Sequence, residues 1–498
     1  PYIHLPAGFI KTFHMKSVNW AYQQEPGPYT GGRSIYAPRG KTLGGSSSIN
    51  GHIYNRGQRQ DFDTWAQLGN RGWGYPDVLP YFRRMERRIG EGDDTYRGRD
   101  GNLTVTTMDW QDPLCEAFMA GAVSLGIPRN PDYNGQIQEG VSYCQRTILN
   151  GRRVSAATAF LHPARRRPNV DVRTHAHVTG IIFEGKRAVA VEYMQGKEKK
   201  VLRAKREVIL SAGAFQSPQL MMLSGVGDAA ALGKHGIASV HHLPGVGQNL
   251  QDHPDFVFGF ASDAPYFSGL SWGGIGRIIK GIGQYRRERR GPMTSNVAEC
   301  GGFLKTRPDL DIPDIQLHFC MAMVEDHGRK PRWGTGFSCH VCLLRPASRG
   351  SVWLNSADPL AAPAIDPNFF GEDSDVETMV AGFKMTKRLL DAPGRGVEDQ
   401  PSGVGGGASG RSPRHRKLAT APTSFRVWPS AWMELPSSVK CVPATTRTSS
   451  TCMASAPASR SSCIASMSVV ADTASSPPSR VRVMPGPVAS TVPARMPS

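Results

Sequence analysis

The sequence predicts a mixed α/β fold on three observations: a nearly continuous apolar run over residues 207–213 ending in small residues, a helix signal directly after it, and short strands before it. In chain order the first regular element is a helix over 76–84. Pro76 and Asp77 suit its opening turn, while Val78, Leu79, Phe82 and Met85 recur at helical spacing. The aromatics around it, Trp65, Trp73, Tyr75, Tyr81 and Phe82, read as core packing rather than a binding box. Residues 170–174 and 180–185 follow as a hairpin-linked strand pair, with 188–193 and 200–204 as further short strands. The run Glu207-Val208-Ile209-Leu210-Ser211-Ala212-Gly213 reads as a strand buried on both faces. Ser217-Pro218 then supplies an N-cap with proline in the first helical position, and the helix continues over 219–224 to Gly225. Strand, small-residue turn and helix in that order are the grammar of an α/β nucleotide-binding unit. The apolar spacing over 379–390 predicts a last helix.

A chain of 498 residues has room for about two to three domains and enough core to fold without staples. No apolar run approaches the roughly 18 residues of a membrane span, and the chain opens without a basic-then-apolar leader, so no transmembrane segment is expected. Nine scattered cysteines point to a reducing compartment rather than a disulfide scaffold. The expected location is cytoplasmic, with peripheral attachment to a membrane left open.

The formal charge is +18, from 59 Lys and Arg against 41 Asp and Glu. It is unevenly spread. From Pro393 onward there are four acids, Glu398, Asp399, Glu434 and Asp472, against twelve Arg and Lys, and Ser, Pro, Ala and Gly dominate without apolar periodicity. Such a stretch cannot bury enough surface to offset its ordering entropy. It reads either as a natural basic Ser/Pro-rich extension or as translation out of frame.

The segment richest in chemistry is Ala37-Pro38-Arg39-Gly40-Lys41-Thr42-Leu43-Gly44-Gly45-Ser46-Ser47-Ser48-Ile49-Asn50-Gly51. Two glycines followed by three serines give consecutive backbone N–H groups with little side-chain bulk, so the turn can approach a diphosphate closely or lie against a flat ring. An ordinary tight turn with serine caps would carry the same residues. Continued through Tyr54, Arg56-Gly57 and Asp61-Phe62-Asp63, this segment resembles the first signature of the glucose-methanol-choline (GMC) flavoprotein oxidoreductases. Residues 212–227, from Ala212-Gly213-Ala214 through Ser217-Pro218-Gln219-Leu220 to Gly225-Val226-Gly227, resemble the second. Gly72-Trp73-Gly74-Tyr75, the segment Leu243-Pro244-Gly245-Val246-Gly247-Gln248-Asn249-Leu250-Gln251-Asp252-His253, and Arg345-Pro346-Ala347-Ser348-Arg349-Gly350 are also similar to the family. The segments Asp326-His327-Gly328-Arg329-Lys330 and Ser338-Cys339-His340-Val341-Cys342-Leu343 most resemble its choline-dehydrogenase-like branch. The spacing of Cys339 and Cys342 alone does not make a metal site, because no second cysteine pair lies nearby.

The resemblance implies an α/β FAD/NAD(P)-binding Rossmann-like fold of GMC type, incomplete here, plus an antiparallel-sheet substrate domain. Residues 1–253 would supply the FAD-binding domain, 254–392 the substrate domain, and 393–498 a disordered or out-of-frame tail. It implies FAD as cofactor and a small-molecule primary alcohol, choline-like or aliphatic or polyether, as substrate. Hydride would pass to flavin N5 while a histidine removes the hydroxyl proton. The electron acceptor is unknown, and no nucleic acid partner is expected. By motif match Gly44, Gly45, Ser46, Asn50, Gly51 and Ile53 would line the diphosphate and flavin, and the backbone of Val178 would meet the adenine.

Two parts of the family pattern are not found. One is the opening Gly-x-Gly-x-x-Gly unit with its acidic ribose ligand. The other is the C-terminal region with the catalytic histidine, the similarity breaking at Asp391-Ala392-Pro393. The catalytic residue is therefore unknown. His415 lies in a basic run where neighbouring cations oppose proton uptake, His253 reads as structural, and His52, just after the Gly/Ser turn, reads as packing or as a flavin neighbour. Two other readings stand beside the FAD enzyme: a frame-shifted product without flavin, and a basic nucleic-acid-binding protein.

Overall fold

The computed structural model describes residues 2–108, 110–261, 269–270, 272–323, 333–392 and 427–429. The predicted tail, His415 and the segment Asp326-His327-Gly328-Arg329-Lys330 lie outside the described residues, apart from the short strand Val427–Pro429.

Its largest unit is a seven-stranded antiparallel sheet. The order is Val427–Pro429, Asp255–Ala261, Gly334–Leu343, Ile315–Cys320, Ala298–Leu304 and Gly140–Tyr143, with Gly269–Leu270 also pairing on Gly334–Leu343. Alternation along these strands sends Phe256, Phe258, Phe260, Leu317, Phe319 and Val341 to one face, into the largest apolar cluster. Helices Pro113–Ser124 and Asp373–Asp391 cover that face. Phe118 stacks on Phe319 at 4.6 Å and Phe383 on Phe258 at 4.8 Å. The second helix contains the predicted 379–390 stretch. It approaches the sheet closely at Gly382, where a Cβ would stand 3.2 Å from Val341 and 3.3 Å from Ile315.

Helix Tyr75–Met85 also forms where predicted, with Asp77 accepting the Gly74 amide at 3.2 Å. Its apolar side packs in a cluster of Phe62, Tyr75, Val78 and Phe82, and the neighbouring aromatics Trp65 and Trp73 join it as core, whereas Tyr81, expected in the core as well, is on the outer face of the helix and 50% exposed. Below it lies a buried ion network. Glu86, fully enclosed, accepts from Arg56, from Arg97 and from the Gly98 amide, and Arg97 continues to Asp132.

Strands Ala176–Glu184, Arg187–Gln195 and Glu198–Arg203 form an antiparallel meander, so the strands expected at 180–185, 188–193 and 200–204 are present, but 180–185 pairs with 188–193 and not with 170–174. Residues 170–174 are not a strand. His175 turns the chain at φ 54 just before the meander, and Arg173 ties back to Asp171 and to the Tyr193 hydroxyl. Residues 207–211 form no regular element, and Ile209 is 59% exposed. The apolar run thus carries the composition of an interior strand, and Val208 and Leu210 pack against Ile181, Ala188 and Leu220, yet among the described residues no strand pairs with it. The following helix spans Gly213–Leu223, starting five residues before the predicted first position at Pro218. Ser217 is not its N-cap but lies inside it, its Oγ accepting the Ala212 amide at 3.0 Å, and Pro218 falls within the helix. Among the described residues the only parallel strand pairs are Glu86–Arg88 with Leu103–Val105 and Val226–Gly227 with His241–His242. No helix among them is long and apolar enough to cross a membrane.

Candidate functional site

The Gly/Ser segment folds into a tight turn followed by a single 3-10 turn, Gly45–Ser48. Gly44 and Gly45 are both left-handed, at φ 86 and φ 54, a conformation that excludes most other residues at two consecutive positions. The serines fix the loop rather than the solvent side. Ser47 Oγ donates to Gly44 O at 2.5 Å and accepts the Ala156 amide at 2.9 Å, Ser48 Oγ donates to Leu43 O at 2.7 Å, and Ser46 Oγ accepts the Gly40 amide at 3.1 Å. Gly44 packs inward, where a Cβ would meet Ser48 Oγ at 2.5 Å and Ala157 N at 3.0 Å. Gly45 faces open space, with no heavy atom within 4 Å of the same position. A bare backbone beside open space is what a ligand needs to approach main-chain amides.

The far end of the turn is held by Arg153, which sequence reasoning missed. Its Nη1 donates to Ser47 O at 3.0 Å and to Asn50 Oδ1 at 2.7 Å, and Asn50 Oδ1 also accepts the His52 amide at 3.2 Å. Asn296, from the central-sheet unit, donates to Gly51 O at 3.3 Å. Three residues grouped on this loop carry buried polar atoms without a protein partner: both ring nitrogens of His52, Nη2 of Arg153 and Oδ1 of Asn296. Such atoms are costly unless a further polar group meets them. His52 is fully buried at φ 64, edge-on to Phe9 at 5.9 Å. Burial, assisted by the Arg153 charge, holds its pKa well below the ordinary histidine value, so the ring is neutral.

Three sequence motifs that are distant in the chain converge on Arg39. Its guanidinium lies over the Phe215 ring at 4.3 Å, two residues into the helix Gly213–Leu223, and its Nη2 stands 3.7 Å from Asp252 of the third motif. Gly213 itself is left-handed at φ 89 with open space around it. Beside it a cavity of about 40 Å³ is lined by Ala214, Pro218, Gly247, Asn249, Gln251 and Val352. A second tie joins Asp61 of the first motif to Arg345 of the last at 2.9 Å.

The structure brings Gly44, Gly45, Ser46, Asn50 and Gly51 together on one loop, with Ile53 just beyond it, bridged to Arg146. Val178 is elsewhere, 38% exposed on strand Ala176–Glu184. The route between them runs through Lys41, which sits over Trp20 at 4.5 Å, and Trp20, whose ring is 5.9 Å from that of His177. His253 is exposed, and its amide donates to Asp252 Oδ1 at 2.9 Å.

On the sheet face opposite the apolar cluster, His340 Nδ1 lies 2.5 Å from Asp255 Oδ2, and His318 is its direct cross-strand neighbour. Burial disfavours the charged His340 ring, but the Asp255 carboxylate outweighs it and lifts the pKa well above the ordinary value. Burial and the neighbouring His340 charge push His318 the other way, to about 4. Cys339 and Cys342 are on the same strand as free buried thiols, one on each face.

Two family models, both described as GMC oxidoreductase, match residues 10–255 and 346–473. The second match carries the likeness past Ala392, where the sequence motifs place its end. Over 395 residues the chain is 43% identical to an alcohol dehydrogenase (acceptor) of Pseudomonas putida, spanning 79% of this chain and 72% of that protein. Over 407 residues it is 41% identical to an oxygen-dependent choline dehydrogenase of Brucella ovis, spanning 80% and 73%. Among solved structures, a formate oxidase of Aspergillus oryzae studied for FAD modification superposes with a TM-score of 0.71 at 27% identity, covering 79% of this chain and 74% of that one.

Proposed function

The chain belongs to the GMC oxidoreductase family, and from that premise we propose that it is an FAD-dependent alcohol dehydrogenase oxidising a primary alcohol to the aldehyde. The observation that carries this reading is the 43% identity over 395 residues to an alcohol dehydrogenase that works with an acceptor. When bound, FAD supplies at flavin N5 the acceptor for the hydride leaving the alcohol's α-carbon.

The residues present fit that cofactor. Gly44, Gly45 and Ser46 would hold the diphosphate, since Gly45 leaves open space against the backbone. Asn50, Gly51 and Ile53 would border the flavin, and the backbone of Val178 the adenine. The unpartnered buried atoms of His52, Arg153 and Asn296 offer two neutral imidazole nitrogens, a cation and an acceptor to a polar group at this loop. Because His52 is neutral, it orients such a group by hydrogen bonding and adds no charge. Residues 1–253 act chiefly as the FAD-binding domain and 254–392 chiefly as the substrate domain, to whose sheet helix Pro113–Ser124 and strand Gly140–Tyr143 also contribute. The named alcohol dehydrogenase and choline dehydrogenase relatives favour a choline-like or other small alcohol, with an aliphatic or polyether alcohol as the alternatives that flavin bleaching separates.

The test is the purified full chain under anaerobic conditions. Absorbance at about 450 nm that bleaches on addition of choline, a straight-chain alcohol or a polyether alcohol supports the reading, and the alcohol that bleaches it fastest names the class. Colourless protein that stays colourless after incubation with FAD sinks it.

A further inference from the structure

We propose that the helix Trp272–Glu288 is a docking face for an anionic lipid surface, lying in the headgroup layer with Trp272, Ile279 and Ile282 inserted and its basic residues over the lipid phosphates. This surface is independent of the cofactor loop and goes beyond the catalytic reading.

The helix exposes what a helix on a protein surface ordinarily hides. Trp272 is 82% exposed, Ile279 66%, Ile278 42% and Ile282 40%, and the neighbouring Trp333 is 64% exposed. The two tryptophans meet edge-on at 5.5 Å, so the apolar patch continues from the helix onto the adjoining strand residue. Residues 272, 275, 279 and 282 recur at three- and four-residue spacing and share one stripe. The helix attaches to the body by another side. Gly274 and Gly281 are buried there, a Cβ on Gly281 would touch Pro292 at 3.7 Å, and the Tyr285 hydroxyl donates to Gly151 O at 3.1 Å. Of the stripe only Ile275 is half-buried, so the exposed Trp272, Ile279 and Ile282 are not needed to hold the helix in place.

Charge selects the occupant. The segment 272–290 carries Arg277, Lys280, Arg286, Arg287, Arg289 and Arg290 against Glu288 alone. Two copies meeting on this face would oppose like charges, whereas an anionic bilayer complements them and solvates the aromatic and aliphatic groups. Tryptophan at the rim of such a face suits the lipid–water boundary, with an apolar body and a polar N–H. Seventeen residues with this charge density are too short and too polar to span, so the helix lies on the surface. Five glycines in the helix weaken its intrinsic propensity, which a supporting surface offsets.

The experiment is co-sedimentation of the full chain with vesicles of phosphatidylcholine alone and of phosphatidylcholine containing about one-third phosphatidylglycerol. The wild type is expected to partition onto the mixed vesicles and weakly onto the neutral ones. Ile279→Asp should lower that partition roughly tenfold, and the pair Arg286→Glu with Arg287→Glu by roughly 30-fold or more. All are exposed positions, and unchanged thermal melting of each variant separates lost docking from lost folding. Undiminished binding by the folded variants would mean that other basic residues, such as those of 393–498, carry the attachment, and would overturn the proposal. So would a failure of the wild type to bind mixed vesicles, or a self-associated dimer that Ile279→Asp abolishes without any vesicle binding.

Discussion

Replacing Gly45 by alanine separates a flavin cradle from an ordinary turn. At φ 54 an L-residue is tolerated at a cost of about 1 kcal/mol, and no protein atom within 4 Å opposes the new methyl group. The folded chain should thus lose little stability. If a diphosphate or ring edge lies against this backbone, the methyl group overpacks the contact by about 1–3 kcal/mol, which weakens FAD binding roughly 5- to 150-fold. The neighbouring Gly44→Ala gives the contrast, because its Cβ would press to 2.5 Å from Ser48 Oγ and 3.0 Å from Ala157 N inside the protein. That variant should lose stability first and flavin only as a consequence. The assay is flavin stoichiometry and Kd from absorbance and fluorescence titration with FAD, alongside thermal melting of each apo chain. Gly45→Ala that binds FAD with unchanged affinity would refute the assignment of this loop to the cofactor.

Other outcomes follow from the buried polar groups. Glu86→Gln leaves Arg56 and Arg97 enclosed without their shared carboxylate, and should destabilise by about 3–5 kcal/mol in a urea melt. Burial raises the Glu299 pKa to about 6, above its unfolded value, while the Ser295 hydroxyl partly opposes the shift. The native state therefore holds this proton more tightly, and its penalty grows as pH rises from about 4.5 to 6. Glu299→Gln should accordingly stabilise by up to about 2 kcal/mol at pH 8 and by little at pH 4, read from denaturant midpoints at the two pH values. His340 is shifted upward by Asp255, so the stability it contributes is fully present below the unfolded histidine pKa and is lost as pH rises through the higher folded value. Asp255→Asn should cost more stability at pH 6 than at a pH above that folded value, and an equal loss at both would contradict the ion pair.

The composition and order of residues determined the local elements on their own. Pro76 and Asp77 before a helical apolar spacing suffice for helix Tyr75–Met85, and only glycine suits two left-handed positions in succession, so the turn at Gly44-Gly45 was legible without any partner. Whether an apolar run becomes a strand depends instead on a neighbour to bond with. Residues 207–211 have the composition of an interior strand and form no strand, with Ile209 in solvent, because strand formation is a property of a pair. Likewise Arg39 meets Phe215 and Asp252, and Arg153 meets Asn50, across separations that no local pattern encodes. Tertiary structure decided those meetings, since a side chain far along the chain leaves no periodic trace at the backbone it will hold.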